Sequence, residues 1–403
     1  MEKLKIVIVG HVDHGKSSLI GRLLYDTKSI SEDKLTEVKA NCKSGHLDFA
    51  YFLDHLQEER EQKITIESTQ TFFKTLKREY VIIDAPGHVE FVRNMITGAS
   101  KADTAVLIVD VEEGCQEQTR RHAFILSMLG FHNIILLINK MDVVDYQQER
   151  FEETVKECVQ FLGRTRINVL HCIPISAIFG DNVAFASQTM TWYKGKTLLQ
   201  ALDQLTLGEK DKKELCYPVQ DVYYVNDQRM AVGMIESGVM KVGDEVMIMP
   251  DMHKASIRTI EKYKESLTEA HTKESVGITT DTPVYLEKGN ILIHTDSRLL
   301  PEKKYKANVF WIAKDPLTIE TKLQLQCVTQ STLCKVTSIF NKINTSTLEA
   351  ITNDDECIRS LEMCEVEIQT KKQLVMCSVE EIESLGRFVL ICNNNICGYG
   401  IIS

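Results

Sequence analysis

Nowhere in the 403 residues does an apolar run approach the roughly 20 residues that a membrane-spanning helix needs. The opening MEKLKIVIVG holds only a short apolar run ending in a glycine, not the longer apolar region and cleavage site of a secretion signal, so a cytoplasmic setting is expected. A CxxC pair and a cysteine–histidine cluster at zinc-ligand spacing are also missing. The 12 cysteines are scattered singly from Cys42 to Cys397 and read as reduced, buried thiols. Excess positive charge is lacking too. With 47 basic against 57 acidic residues the formal charge is −10, the wrong sign for bulk attraction to nucleic acid or an anionic membrane, although a local basic patch stays open. There is no internal repeat and no low-complexity tail.

What is present is ordinary globular material: 43% hydrophobic and 26% charged residues, enough for real cores. At roughly 150 residues per domain, the length predicts two to three domains. From residue 4 to about 205, short β-rich runs (Leu4 to Val9, Thr69 to Leu76, Tyr80 to Asp84, Thr104 to Asp110, Ile134 to Asn139, Val169 to Ile175) alternate with segments of helical period. Ser17 to Tyr25 sets Leu19, Ile20, Leu23 and Leu24 on one face, and Gln118 to Leu129 does the same with Phe124, Ile125, Met128 and Leu129. The alternation predicts a mostly parallel sheet with helices on both faces. After the polar stretch Gly208 to Glu214 the texture changes to closely spaced β-branched runs punctuated by Gly, Asn and Asp. Val219 to Val225, Met230 to Glu236, Glu245 to Met249 and Ala255 to Ile260, closed by Val284 to Ile293, suggest a small antiparallel barrel, and a second β-rich block runs from Tyr305 to Ser403. The expected domains are thus 1–207, 215–298 and 301–403.

The chemistry is concentrated in the first of these. Strand Ile6 to Val9 runs into Gly10-His11-Val12-Asp13-His14-Gly15-Lys16-Ser17 and then a helix, the GxxxxGKS pattern in the strand–loop–helix setting that it needs. Average residue usage produces such a string by chance in about one chain of this length in a hundred. The glycines let the loop curl so that successive N–H groups, through Ser17 and Ser18, face a phosphate; Lys16 neutralises it, and the Ser17 hydroxyl suits Mg²⁺.

Asn139-Lys140-Met141-Asp142 follows strand Ile134 to Ile138. An ionised carboxylate only accepts hydrogen bonds, so Asp142 can take the N1–H and amino N–H of guanine, whereas adenine presents a bare lone pair. Such discrimination reaches roughly 10⁴-fold or more. Asn139 would contact the purine edge and Lys140 lay its stem along the base. Asp84-Ala85-Pro86-Gly87 offers a carboxylate for Mg²⁺ and, in Gly87, an N–H for the γ-phosphate, though Pro-Gly is also a common turn. His88 comes next, where an imidazole can orient the attacking water. Thr65, after the charge run Glu58 to Lys63, is placed to ligate Mg²⁺ only when γ-phosphate is present. Ser176-Ala177 can offer a backbone N–H to guanine O6, a pair too short to mean anything alone.

In this order the GHVDHGKS, DAPGH and NKMD strings resemble a GTPase of the translation-factor superfamily. PVQDVYYVNDQRMAVGMIESGVMKVGDEVMI is similar to its second domain and LGRFVLICNNNICGYGII to the end of its third, so the resemblance implies an α/β P-loop GTPase domain followed by two all-β barrel domains. Within the superfamily, SLIGRLLYDTKSISEDKL, LDFAYFLDHLQEEREQKITIE and GCQEQTRRHAFILSMLG resemble the GTPase subunits (subunit 1) of bacterial sulfate adenylyltransferases. Two departures stand out: HVDHGK where those subunits more often read SVDDGK, and Lys63 where a glycine is usual. That resemblance implies GTP and Mg²⁺ as cofactors and GTP hydrolysis driving AMP transfer from ATP to sulfate. There is no second GxxxxGK[ST] and no Ser-Gly-Gly-x-Asp-Ser loop, so the ATP site is expected on a partner subunit. The alternative is an elongation factor 1-alpha-like carrier of aminoacyl-tRNA.

Overall fold

The computed structural model describes residues 2–30, 49, 70–84, 95–96, 99, 102–165, 167–206, 214–225, 228–263, 265–281, 285–352 and 357–403. The chain divides into two compact units, Met1–Leu207 and Gly208–Ser403.

The first unit is built on a six-stranded sheet. Its elements are β1 (Glu2–Gly10), α1 (Lys16–Asp26), β2 (Gln70–Lys74), β3 (Arg78–Asp84), β4 (Thr104–Asp110), α2 (Glu117–Met128), β5 (Asn133–Asn139), α3 (Gln148–Leu162), β6 (Asn168–Pro174) and α4 (Leu198–Asp203). Strand order is β2-β3-β1-β4-β5-β6, and all neighbours are parallel except the β2–β3 pair. A strand covered on both faces must be apolar at every position, and β4 is buried from end to end. Leu4, Ile6, Ile8, Val106 and Ile108 share a core with Leu19, Ile20 and Leu23 of α1 and with Leu198 and Leu202 of α4. The alternate positions Val7, Val9, Leu107 and Val109 are equally buried, on the side where α2 packs against β1 and β4 and α3 against β5 and β6. At about 1.5–3 kcal/mol for each large apolar side chain removed from water, this double-sided burial dominates the unit's stability.

Helix α1 buries the face expected of it, Leu19, Ile20, Leu23 and Leu24. Helix α2 buries more: besides Phe124, Ile125 and Met128, its inner face takes in Arg121 and His122, polar side chains that a simple amphipathic reading would leave in solvent.

The second unit holds two antiparallel barrels. The first comprises β7 (Tyr217–Val225), β8 (Gln228–Met234), β9 (Val239–Lys241), β10 (Glu245–Met249), β11 (His253–Lys262), β12 (Glu265–Leu267), β13 (Glu269–His271), β14 (Ser275–Thr280) and β15 (Ile291–His294). The pairings run β10-β15-β7-β8-β14-β11, and β11 returns to β10, which closes the circuit. Of the expected closing strand Val284 to Ile293, Val284 lies outside the described residues; Gly289 adopts φ +98° and Asn290 accepts the Glu287 N–H at 2.7 Å, so the chain turns there and the strand begins at Ile291. Strand β14, which has no counterpart in the sequence reading, fills the place between β8 and β11. The second barrel is closed in the order β16-β19-β18-β17-β20-β21, with β16 (Glu302–Trp311), β17 (Leu323–Cys327), β18 (Gln330–Asn344), β19 (Glu362–Leu374), β20 (Arg387–Cys392) and β21 (Asn395–Ile402). Met249, Ile291 and Ile293 of the first barrel join the second barrel's core beside Trp311, so the two share apolar packing.

Every cysteine among the described residues is a free thiol. No helix among the described residues is long and apolar enough to cross a membrane.

Candidate functional site

Strands β1, β3, β4, β5 and β6 run parallel, so their carboxyl ends lie on one edge of the sheet, the edge where open α/β sheets bind ligands. Three strands end there in a polar side chain: β3 in Asp84, β4 in Asp110 and β5 in Asn139.

The loop Gly10 to Lys16 leaves β1 and enters α1. Asp13 sits at φ +63° and Gly15 at φ +90°. A Cβ on Gly15 would lie 2.3 Å from Asn139 Nδ2, and one on Gly10 would lie 2.4 Å from the Ile108 carbonyl oxygen, so both positions require glycine. The α1 N-cap is Gly15, with no side-chain cap and no acidic residue in the first turn. The N–H groups of the first turn, Lys16, Ser17 and Ser18, therefore present an uncompensated positive end. Lys16 folds back over the loop and donates to the Gly10 and His11 carbonyls at 2.9 and 2.6 Å. Burial pushes its ammonium below the usual range, opposed by Asp84 and Asp13. Burial likewise raises the Asp84 carboxyl, opposed by Lys16. A lysine and a carboxylate that attract each other beside such a loop fit a phosphate with a hard divalent cation. Val12 and Asp13 are exposed at the tip, and His11 is half-buried with its ring 5.1 Å from that of His14.

The second half of the site lies after β5. Asn139 is buried and spans three segments: its Nδ2 donates to the His14 carbonyl at 2.9 Å, and its Oδ1 accepts the Ala177 N–H at 3.0 Å. Asn139 thus holds the loops together rather than facing outward, and the Ala177 N–H is engaged with it. Lys140 stands at φ +62°, with its stem half-exposed. Asp142 accepts from the Ser176 hydroxyl at 2.6 Å, which aims the carboxylate. Met141 is fully buried, and its N–H bonds Ile175 O at 3.2 Å, so the loop is anchored between its two outward residues.

The structure therefore brings together Gly10, His11, Val12, Asp13, His14, Gly15, Lys16, Ser17, Ser18, Asp84, Asn139, Lys140, Asp142, Ser176 and Ala177. Thr65, Gly87 and His88, with Lys63, lie outside the described residues. No group of three or more His, Cys, Asp or Glu side chains among the described residues makes a metal cage, so a cation here needs hydroxyl, water and phosphate oxygens to complete its shell.

Sequence reasoning missed three residues. The buried His14 ring has Nε2 3.1 Å from Glu113 Oε2, and its Nδ1 accepts the Asp110 N–H at 3.3 Å. A neutral ring with its proton on Nε2 satisfies both. Burial lowers the His14 pKa, against Glu113. The Asp110 carboxylate meets Lys140 Nζ at 2.6 Å. His122 of α2 is buried against the Gly10 backbone and pushed down to about 3 by burial and the nearby Lys16. Asp110 had a signal: it closes an apolar strand as Asp84 and Asn139 close theirs. Glu113 and His122 had none, because their partners are distant in sequence.

Residues 1–207 match the Elongation factor Tu GTP binding domain, 228–287 the Elongation factor Tu domain 2, and 304–403 the GTP-eEF1A C-terminal domain-like family. Among curated proteins, the chain is 34% identical to sulfate adenylyltransferase subunit 1 of Bacteroides thetaiotaomicron, covering 99% of this chain and 86% of that one. It is 35% identical to the protein of the same name from Bacteroides fragilis (99% and 85%). A third, from Saccharophagus degradans, is 36% identical (97% and 84%). With this similarity to these proteins over nearly all of its residues, the chain belongs to the sulfate adenylyltransferase subunit 1 family of elongation factor Tu-type GTPases.

Proposed function

We propose that the chain binds and hydrolyses GTP and that hydrolysis energises adenylyl transfer from ATP to sulfate, forming adenosine 5′-phosphosulfate and pyrophosphate on a partner subunit. The observation that carries the guanine reading is the aimed Asp142 carboxylate, held by Ser176 at 2.6 Å, beside a loop with an uncapped helix end and a half-buried lysine. The sulfate reading is supported by the shared name of relatives that align over nearly the whole chain.

In this reading the N–H groups from Gly10 to Ser18 and the Lys16 ammonium bind the β- and γ-phosphates. Mg²⁺ would be held by Ser17, Thr65 and Asp84, and supplies charge neutralisation at the transferring phosphate. Asp142 accepts the N–H edge of guanine and Lys140 covers the base. Gly87 N–H approaches the γ-phosphate, and His88 orients the attacking water, so His88→Ala should leave GTP affinity unchanged and slow hydrolysis. Unchanged turnover in that variant would remove the role. The domain division 1–207, 215–298 and 301–403 and a cytoplasmic setting belong to the same proposal.

The deciding experiment purifies the chain with its co-purifying partner and measures GTP hydrolysis with and without ATP plus sulfate. Acceleration supports the reading. No acceleration, together with tight aminoacyl-tRNA binding, replaces it with a translation-type carrier.

A further inference from the structure

Strand β4 lies between β1, which delivers the phosphate loop, and β5, which delivers the base-side loop. Its last residue, Asp110, is opposite Asn139 in register and reaches both loops. Through its backbone, the Asp110 N–H donates to His14 Nδ1 at 3.3 Å, one residue before Gly15. Through its side chain, Oδ2 meets Lys140 Nζ at 2.6 Å, while Oδ1 accepts the Glu112 N–H at 2.8 Å. The Asp110 carboxylate is nearly inaccessible, whereas Lys140 is partly open to solvent. A buried carboxylate with both oxygens engaged has one geometry, so it dictates where the lysine goes rather than following it.

The consequence is for the nucleotide. Lys140 stands in a left-handed backbone conformation that throws its side chain across the loop, and pinning the ammonium to Asp110 stretches the aliphatic stem between two fixed points. Without that anchor the stem regains rotamer freedom, which any base packed against it must then remove. Burial works against the Lys140 charge, and Asp110, Glu113 and Asp13 outweigh it, so the ammonium stays protonated.

We propose that Asp110 is a positioning residue for guanine nucleotide binding, fixing the Lys140 stem against the base and tying the base-side loop to the phosphate loop through His14. The inference rests on the GTP reading above. Its test is a double-mutant cycle read as GDP affinity by a fluorescent nucleotide, using the full chain with its co-purifying partner: wild type, Asp110→Asn, Lys140→Met and the double variant. Asp110→Asn keeps the shape and an acceptor for the Glu112 N–H but puts an amide donor where an oxygen meets Lys140 Nζ, and its affinity should fall about tenfold, as removal of a charge-assisted contact predicts. The double variant should bind no more weakly than the weaker single one, because each change breaks the same anchor. Asp110→Asn should leave the nucleotide-free melting temperature near the wild-type value and shrink only the shift that GDP produces. Wild-type affinity in Asp110→Asn, or losses that multiply in the double variant, overturns the inference while leaving the GTP reading intact. A wild-type chain that binds no guanine nucleotide removes that reading, and the inference with it.

Discussion

Strand β4 in the first unit and strand β18 in the second use their residues differently. All seven positions of β4 are buried, because helices cover both faces of a parallel sheet. In β18 burial alternates at its start, with Gln330, Thr332 and Val336 inside and Ser331, Leu333 and Lys335 outside, as a barrel wall requires. A fully buried strand can place polar chemistry only where it ends, so the site gathers at the tips of β3, β4 and β5. A barrel strand offers a solvent-facing residue at every second position, and none of them is marked by the architecture as functional.

That contrast can be broken by charge. Val106→Asp and Leu107→Asp point to opposite faces of β4, and each should destabilise the first unit by several kcal/mol, on the order of 5, with loss of the folded state by circular dichroism. In β18 only Val336→Asp should do so, and equal tolerance of both β4 changes would contradict double-sided burial.

Next in size is the tip of β5. Asp142→Asn should weaken GDP binding about a hundredfold and strengthen binding of the xanthine analogue, measured by nucleotide competition. Retained guanine preference would mean that the carboxylate does not read the base.

A smaller effect tests the buried side of α2. The folded His122 is held neutral, pushed down to about 3 from its ordinary 6.5, so between those values the unfolded chain binds a proton that the folded chain does not. Stability therefore falls as pH drops through that window. From pH 7.5 to 5.5 wild type should lose about 1.4 kcal/mol more than His122→Gln in denaturant unfolding. Equal losses would show that His122 titrates normally in the fold.

The smallest effect belongs to the barrel surface. Leu333, 57% exposed, should accept Leu333→Asp within about 0.5 kcal/mol of wild-type stability, by the same unfolding measurement. A loss matching that of Val336→Asp would erase the difference between the two kinds of strand.

The same contrast explains how much could be read from the sequence. Continuous apolar runs such as TAVLIVD and NIILLIN stand out, and the GxxxxGKS string after β1 has a spacing specific enough to read directly, so the sheet, α1 and the loop residues were legible. The barrels were less so. Short strands such as β9, β12 and β13 hold only three residues each, too few for a period of two to register. Asn139 was legible as a site residue but not as the cross-link between His14 and Ala177, since those bonds span 125 and 38 residues of chain. Arg121 and His122 break the apolar period of α2, and only the packing of that helix against β1 and β4 shows where they go.

The sequence by itself determined the class of the first unit, through apolar runs that alternate with helical periods, and it marked the Gly10–Ser17 and Asn139–Asp142 strings, each within eight positions, where backbone geometry is local. Only the tertiary structure decided which side chains hold those residues in place. Asp110 on Lys140, His14 on Glu113 and Ser176 on Asp142 are contacts between different strand ends, and they exist because parallel strands deliver distant segments of chain to one edge of the sheet.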